Sequence, residues 1–295
     1  MVYNQFYGFH ETPFNLTPNP KFFFESPKHS EALNSLVYAI KERKGFVVIT
    51  GEIGSGKTTV CRTLLNKLDS KTHTALITNT HLSGRDLLAV ILEDLEVEYT
   101  PGSKARLLSQ LNHYLITQLT RDHNVVLIID EAQNLTPSVL EEVRMLSNLE
   151  TESEKLIQII LMGQPELKKK LAMSRLEQLR QRIAVFFHLG PLTKEETREY
   201  ILHRLKIASK SDRPYLTDGA MDGVYQYSKG IPRLINQICD SALLSGFVAE
   251  APLIDEKIME EVIAESPSRQ IINSSDKYKT NTGENSEKED QVFAE

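Results

Sequence analysis

Cysteine is scarce in this sequence. The 295 residues contain only 2 cysteines, Cys61 and Cys239. They lie far apart and form no C-x-x-C pair or Cys/His cluster, which excludes a disulfide framework or a structural zinc site. We therefore expect both thiols to be small core residues of a protein that works in a reducing compartment.

Long apolar runs are also absent from the sequence. Runs such as Val125–Ile129 and Ile159–Met162 are far shorter than the roughly 18 residues that a membrane-spanning helix needs. The N-terminal stretch, MVYNQFYGFHETPF, has no basic region followed by an apolar core, as a secretory signal would. These absences predict a cytoplasmic protein with no membrane span.

Basic residues show no excess over acidic ones. The formal net charge is -6 and the sequence pI is about 5.8. Proteins whose main task is to bind nucleic-acid phosphates are usually basic, so this balance argues against nucleic acid as the partner, although a local basic patch remains compatible with it. The hydrophobic content of 40% is that of an ordinary globular protein.

Residues 28–190 alternate between apolar runs and helical patterns. Five runs are predicted to be strands: Phe46–Thr50, Thr74–Thr78, Val125–Ile129, Leu156–Met162 and Ala184–Leu189. Strands that read as continuous apolar runs and alternate with helices indicate a parallel sheet covered by helices on both faces. The predicted fold class is therefore α/β.

The chain changes character after Pro191. Thr193 and Glu196 have the spacing of a capping box, and three further helical patterns follow at Thr217–Tyr227, Ile231–Val248 and Asp255–Glu265. We predict a small all-helical lid domain over residues 191–265. Residues 1–27 are expected to be an irregular segment that packs its aromatic rings on the α/β domain, and residues 266–295 a disordered polar tail.

A glycine-rich segment follows the first predicted strand and matches G-x-x-x-x-G-K-[ST] in full. Its backbone N–H groups and the positive N-terminus of the next helix can bind the phosphates of a nucleoside triphosphate. Lys57 is predicted to bind the β- and γ-phosphates, and the Thr58 hydroxyl to bind Mg²⁺. The predicted nucleotide-binding residues are Gly51, Glu52, Ile53, Gly54, Ser55, Gly56, Lys57, Thr58 and Thr59.

Two acidic residues follow the third predicted strand. In enzymes with this phosphate-binding loop, an Asp at such a strand end holds Mg²⁺, so Asp130 is the predicted second metal ligand. Glu131 is the predicted general base, since an adjacent carboxylate can orient and deprotonate the attacking water. The triphosphate and its magnesium ion are thus expected to face the acidic tip of a neighbouring strand.

Several segments together resemble one family of proteins. They are YGFHETPFNLTPNPKFFF, HSEALNSLVYAI, GFVVITGEIGSGKTTVCRTLL, VVLIIDEAQNL, LMGQPEL, LRQRI and GIPRLIN. This set is similar to the AAA+ ATPase of general secretion pathway protein A. It also resembles short relatives associated with mannose-sensitive haemagglutinin pilus biogenesis and exopolysaccharide export.

The resemblance implies roles for residues that spacing alone does not assign. Gln164 matches the polar γ-phosphate sensor, and Arg233, in Gly230-Ile-Pro-Arg233, matches the second sensor. Arg182, with Arg180 and Arg175 as alternatives, lies where the family carries an arginine finger, which stabilises the charge of the transferring phosphoryl group. The aromatic residues near Phe14 and Phe22–Phe24 are either part of the adenine pocket or simply core.

The resemblance also implies partners. A finger supplied in trans requires a dimer or a ring of identical chains. Long family members continue into a membrane span and a peptidoglycan-binding domain, and this sequence matches neither, so an envelope role is expected to require a protein partner. That partner would be an inner-membrane or envelope-assembly protein, which would place the chain at the periphery of the inner membrane.

Three functions remain open at this point. The first is an ATPase that drives or regulates assembly of an envelope secretion, pilus or exopolysaccharide-export system. The second is a DNA-associated AAA+ ATPase similar to transposition regulators or initiator loaders. The third is a scaffold that binds ATP and barely hydrolyses it. All three share the site for ATP and Mg²⁺.

Overall fold

The computed structural model describes residues 1–266 other than 153, 210 and 212. The chain divides into two compact units. One unit consists of Thr17–Pro191, and the other combines Met1–Leu16 with the chain from Leu192 onward. The polar tail predicted for residues 266–295 lies outside the described residues, except for Ser266.

The unit Thr17–Pro191 contains the predicted alternation of strands and helices. Its strands are β1 (Phe46–Gly51), β2 (Thr72–Ile77), β3 (Asn124–Ile129), β4 (Gln158–Gly163) and β5 (Ile183–Leu189). Its helices are α2 (Pro27–Lys41), α3 (Lys57–Lys67), α4 (Gly84–Asp94), α5 (Lys104–Thr120), α6 (Pro137–Leu146), α7 (Pro165–Leu171) and α8 (Glu177–Arg180). The α/β fold class is confirmed.

The five strands form one sheet in the order β2-β3-β4-β1-β5, and every neighbouring pair is parallel. The carboxyl ends of β1, β3 and β4 therefore meet at the same edge. The expectation that the acidic strand is a neighbour of β1 is wrong, because β4 lies between β1 and β3. This order places the end of β4 between the glycine-rich loop and the acidic pair.

The inner strands β1, β3 and β4 are buried on both faces because they alternate apolar side chains between two cores. Phe46 and Val48 of β1 pack in the core that includes α4, α5 and α6. Val47 and Ile49 pack in the other core, with side chains of α2 and α3. Since each fully buried aliphatic side chain contributes about 1.5–3 kcal/mol, the two cores fix β1, and with it the start of the loop that follows.

The second unit has only helices as regular elements among its described residues. After α1 (Asn4–Tyr7), they are α9 (Lys194–Ala208), α10 (Asp218–Ser228), α11 (Pro232–Val248) and α12 (Glu256–Glu265). The predicted capping box is present at α9, where Thr193 and Glu196 cap each other's backbone N–H groups. This fits the predicted all-helical character of the segment after Pro191.

The N-terminal segment is divided between the two units. Residues 1–16 belong to the helical unit, and residues 17–27 belong to the unit Thr17–Pro191. Aromatic and backbone groups of residues 1–16 find partners in the helical unit: Tyr7 packs edge-on against Tyr215, and the buried Arg204 donates from Nε to the Pro13 carbonyl oxygen at 2.6 Å. Phe14 and Phe22 are both buried. Phe14 belongs to the helical unit, and Phe22 belongs to the unit Thr17–Pro191.

Both cysteines are free and buried, as expected from the sequence. Burial raises the pKa of the Cys61 thiol to about 12, which keeps it protonated and unreactive. Over the described residues, none of the helices combines the length and the apolar character needed to cross a bilayer.

Gly230 provides a test of packing in the helical unit. Its φ is +78°, and a Cβ built there would lie 1.9 Å from the Leu192 carbonyl oxygen. Gly8 has the same φ of +78° with nothing within 4 Å of such a Cβ. We expect Gly8→Ala to lower the free energy of unfolding by about 1–2 kcal/mol, the cost of a left-handed alanine. Gly230→Ala should cost about 1–3 kcal/mol more, because the Leu192 backbone must move.

Urea unfolding of the two variants and the parent chain measures this difference, provided that the slope of each transition is unchanged. The backbone cost is the same at both positions, so the comparison isolates the contact with Leu192. Equal losses of stability in the two variants would show that this contact is unimportant.

Candidate functional site

The glycine-rich loop joins the buried strand β1 to helix α3. Gly54 and Gly56 have positive φ values of 78° and 100°, a region that glycine enters without the cost of a Cβ. Gly56 is also the N-cap of α3, with no side chain capping the helix. The backbone N–H groups of the first turn of α3 are therefore left for a ligand, as in anion sites at helix N-termini.

Lys57 lies at the start of α3 with its side chain folded over the loop. Its Nζ donates to the carbonyl oxygens of Gly51 at 2.7 Å and Glu52 at 2.9 Å, and the residue is only 6% exposed. Burial lowers the pKa of Lys57, an effect that the nearby carboxylates of Glu131, Asp130 and Glu52 partly offset. The arrangement holds a positive charge beside the uncapped helix end.

Thr58 and Asp130 come together across the carboxyl edge of the sheet. Thr58 Oγ1 donates to Asp130 Oδ2 at 3.0 Å, and the backbone N–H of Glu131 donates to Asp130 Oδ1 at 2.9 Å. Asp130 is 6% exposed. A hydroxyl and a buried carboxylate in contact are the oxygen donors from which a Mg²⁺ site that keeps water and phosphate ligands is built.

The remaining loop residues contribute differently. Glu52 and Ile53 have exposed side chains, so only their backbones belong to the loop, and Thr59 is half-buried in the first turn of α3. Ser55 is buried, and its Oγ has no hydrogen-bond partner among the described residues. Such an orphaned hydroxyl in the loop indicates a missing polar ligand.

Two side-chain amides, those of Gln133 and Gln164, donate to the carboxylate of Glu131. This residue follows β3 with a left-handed φ of 51°, an uncommon conformation for a side chain of its size. Gln164, at the end of β4, donates from Nε2 to Glu131 Oε2 at 3.2 Å. The order of strands explains the contact, since β4 is the neighbour of β3.

The three candidate finger arginines lie in different surroundings. Arg182 is half-buried, and its Nη1 donates to Ser147 Oγ at 2.8 Å. Arg175 and Arg180 are exposed. Arg180 Nη1 donates to the Ala172 carbonyl oxygen at 3.3 Å. Arg233 is exposed at the start of α11 in the helical unit.

Two residues that the sequence analysis missed support the site. His29 is 5% exposed. Its Nδ1 is 2.7 Å from Ser26 Oγ and its Nε2 is 3.0 Å from the Ser55 carbonyl oxygen. A Cβ on Gly56 would lie 2.8 Å from His29 Nε2, so the imidazole packs directly against the loop.

The second missed residue, Gln133, donates from Nε2 to Glu131 Oε2 at 2.5 Å. Neither residue has a spacing that marks it: His29 precedes the loop by more than twenty residues, and Gln133 reads as part of a turn. The available signal was that both lie in segments that carry the family resemblance.

Comparisons with known proteins agree with this geometry. A family model described as an AAA domain matches residues 40–171. General secretion pathway protein A of Aeromonas hydrophila is 44% identical over 247 residues, which cover 83% of this chain and 45% of that protein. The chain therefore spans about half the length of the curated relative that it matches.

The fold is also similar to solved structures. The ADP form of the ORC2 protein of Aeropyrum pernix has a TM-score of 0.68 at 13% identity, covering 87% of this chain and 73% of that one. The RuvB Holliday junction branch migration motor of Thermotoga maritima has a TM-score of 0.55 at 20% identity, covering 82% of this chain and 69% of that one. At these identities the likeness concerns the fold.

Proposed function

Because residues 40–171 match an AAA domain and the chain is 44% identical to general secretion pathway protein A over 83% of its length, we propose that it binds ATP with Mg²⁺ and hydrolyses it to ADP and phosphate. The observation that carries the proposal is the 3.0 Å contact between Thr58 Oγ1 and Asp130 Oδ2 beside the uncapped start of α3. A phosphate site and a pair of magnesium ligands are thus adjacent.

The loop residues Gly51–Thr59 bind the triphosphate. Their backbone N–H groups and the Lys57 ammonium neutralise the β- and γ-phosphates, and the helix end adds its positive potential. Thr58 and Asp130 would hold the magnesium ion, whose chemistry when bound is to neutralise charge on the phosphate oxygens. The buried Ser55 hydroxyl is a further donor or acceptor within the same loop.

Glu131 accepts the proton of the attacking water. The bond that forms joins the water oxygen to the γ-phosphorus, and the bond that breaks joins this phosphorus to the β–γ bridging oxygen. Gln164 orients the water and senses the γ-phosphate, since its amide can donate to both. Its contact with Glu131 Oε2 supports this role because it shows that the amide reaches the carboxylate.

Arginines complete the site in the proposed assembly. A finger from a second copy of this chain would stabilise the charge that spreads over the transferring phosphoryl oxygens, an effect worth about 10³–10⁵ in rate in other enzymes. The exposed Arg175 and Arg180 are better suited than Arg182, which donates to Ser147 in its own unit. Arg233 serves as the second sensor, and the assembly is a dimer or ring.

The biological role that we propose is to drive or regulate assembly of an envelope secretion, pilus or exopolysaccharide-export system. Its basis is the identity of 44% to general secretion pathway protein A. The chain would act in the cytoplasm, at the periphery of the inner membrane through a protein partner. A salt-sensitive shift of duplex DNA that requires ATP would instead favour a DNA-associated ATPase.

Release of phosphate from ATP tests the enzymatic proposal. With Mg²⁺ present we expect steady turnover at a rate at least about 100-fold above that in excess EDTA. The reason is that the metal stabilises the negative charge of the transition state, an effect worth several kcal/mol. Restoring Mg²⁺ should restore the rate. A preparation that binds ATP tightly but releases no phosphate with Mg²⁺ would leave only a nucleotide-gated scaffold.

A further inference from the structure

Gln133 lies in a short turn, Ala132–Asn134, directly after the acidic pair. Its main chain is fixed by Lys170 of α7, whose Nζ donates to the carbonyl oxygens of Gln133 at 2.5 Å and Leu135 at 2.7 Å. The turn is therefore attached to the helix that begins next to Gln164. The side chain of Gln133 extends from this anchored backbone toward the site.

The amide of Gln133 contacts two neighbours at once. Its Oε1 accepts from the backbone N–H of Gln164 at 3.0 Å, and its Nε2 donates to Glu131 Oε2 at 2.5 Å. A backbone N–H can only donate and a carboxylate only accepts, so the chemistry of the neighbours fixes which end of the amide faces which. The orientation of Gln133 is thus determined without ambiguity.

The contact between Gln133 and the end of β4 is close. A Cβ on Gly163 would lie 2.8 Å from Gln133 Oε1 and 2.9 Å from a methyl carbon of Leu167. Only glycine at position 163 leaves room for the amide, because any larger side chain would displace it. The sequence at this strand end therefore accommodates Gln133 as well as Gln164.

Gln164 completes a closed ring of hydrogen bonds. Its side-chain Nε2 donates to the same oxygen, Glu131 Oε2, that receives the Gln133 amide. Among the described residues no donor reaches the other carboxylate oxygen, Oε1. The ring thus leaves Oε1 as the oxygen that can accept from a water.

We propose that Gln133 is a positioning residue that links the base Glu131 to the sensor Gln164. This inference rests on the proposed hydrolysis of ATP at the same site. When the Gln164 amide turns to a γ-phosphate, Glu131 Oε2 keeps the hydrogen bond from Gln133 Nε2. Gln133 stays in place and keeps Oε1 directed at the water.

The test compares Gln133→Met with the parent chain. Methionine has about the same length and cannot hydrogen-bond to the carboxylate. We expect kcat to fall about 30-fold, within the roughly 100-fold that a misplaced catalytic group costs. The Kd for ATP should change by less than about twofold, because the hydrogen bonds described for the Gln133 side chain go to Glu131 and Gln164 and not to the loop. Gln5→Met, at an exposed position of α1, is the matched control and should keep the parental kcat.

A double-mutant cycle separates positioning from a structural role. In a chain that already carries Glu131→Gln, Gln133→Met should lower single-turnover hydrolysis by less than about threefold, because effects through a shared partner are not additive. A structural role would lower the rate by the same factor in both backgrounds, or would weaken ATP binding together with kcat. Either of these results would overturn the proposal.

Gln133→Glu keeps an oxygen for the Gln164 N–H but replaces the Nε2 donor with a negative charge beside Glu131. We expect a loss of kcat at least as large as that of Gln133→Met, and a parental kcat would overturn the proposal even if the methionine variant failed to fold. Glu131→Gln is run in the same assay. If it loses turnover while both Gln133 variants keep it, only the Gln133 inference fails, and if it keeps turnover, the assigned base is wrong.

Discussion

Replacing Lys57 by alanine should strongly weaken ATP binding. The change removes a buried ammonium that we assign to the β- and γ-phosphates, and truncating one partner of a desolvated charge pair costs about 2–5 kcal/mol. At roughly 1.4 kcal/mol for each factor of ten, the Kd should rise by a factor between about 30 and about 4,000. Titration of a fluorescent ATP analogue into purified protein measures the change.

Lys67→Ala is the matched control for this experiment. Lys67 lies in the last turn of the same helix, is exposed, and has a carboxylate of Glu25 at 3.8 Å as its ion-pair partner. Replacing Lys67 removes one positive charge from α3, as Lys57→Ala does, but at the far end of the helix from the loop. The Kd for ATP should stay within about twofold of the parent value, because an exposed ion pair contributes little. Similar losses in both variants would mean that net charge, and not the loop, governs binding.

The structure also explains how Lys57 is held before ATP arrives. Its Nζ is bound by the carbonyl oxygens of Gly51 and Glu52, and its pKa is lowered by burial. A phosphate that enters the loop exchanges neutral acceptors for an anionic one, and charge-assisted hydrogen bonds are about twice as strong as neutral ones. The exchange provides a driving force for binding without a large movement of the side chain.

The sequence predicted those parts of the site whose chemistry is local. The loop Gly51–Thr58 is one continuous motif, and its glycines, lysine and threonine have fixed places around a phosphate. Asp130 and Glu131 are recognisable because they end a strand that is apolar throughout. The contact between Thr58 and Asp130 follows once both strands lie in one parallel sheet.

The parts that were missed depend on partners distant in sequence. His29 contacts the loop residue Ser55, and Gln133 contacts Gln164, and neither pair has a spacing rule. The sequence also does not predict that β4 lies between β1 and β3, because apolar runs of similar length do not indicate the order of their strands in the sheet. For Arg182, the sequence gives no sign of its hydrogen bond to Ser147.

The N-terminal segment illustrates a different limit. Its aromatic content predicts packing against folded structure, but aromatic residues do not specify which surface they cover. The decisive contacts are polar: Tyr7 Oη donates to the Ala251 carbonyl oxygen, and Arg213 donates to the Tyr7 carbonyl oxygen. Such bonds to backbone atoms have no signature in the sequence.

Glu131→Gln should separate ATP binding from hydrolysis. The amide keeps the size of the side chain, and its oxygen can still accept from the Nε2 groups of Gln133 and Gln164, so the ring of hydrogen bonds and the Kd for ATP should be preserved. The amide cannot take a proton from water. Because a general base contributes about 10²–10⁴ in rate, we expect kcat to fall about 1,000-fold, measured as phosphate release in the presence of Mg²⁺.

Glu260→Gln, at an exposed position of α12, makes the same chemical change outside the site and should leave kcat within about twofold of the parent value. A Glu131→Gln variant that hydrolyses ATP at the parental rate would remove the general base from the mechanism. A variant that loses binding and turnover together would instead show that the carboxylate helps to hold the magnesium ion. Only intact binding combined with lost turnover agrees with a carboxylate that is held by two amides and directs its other oxygen to the attacking water.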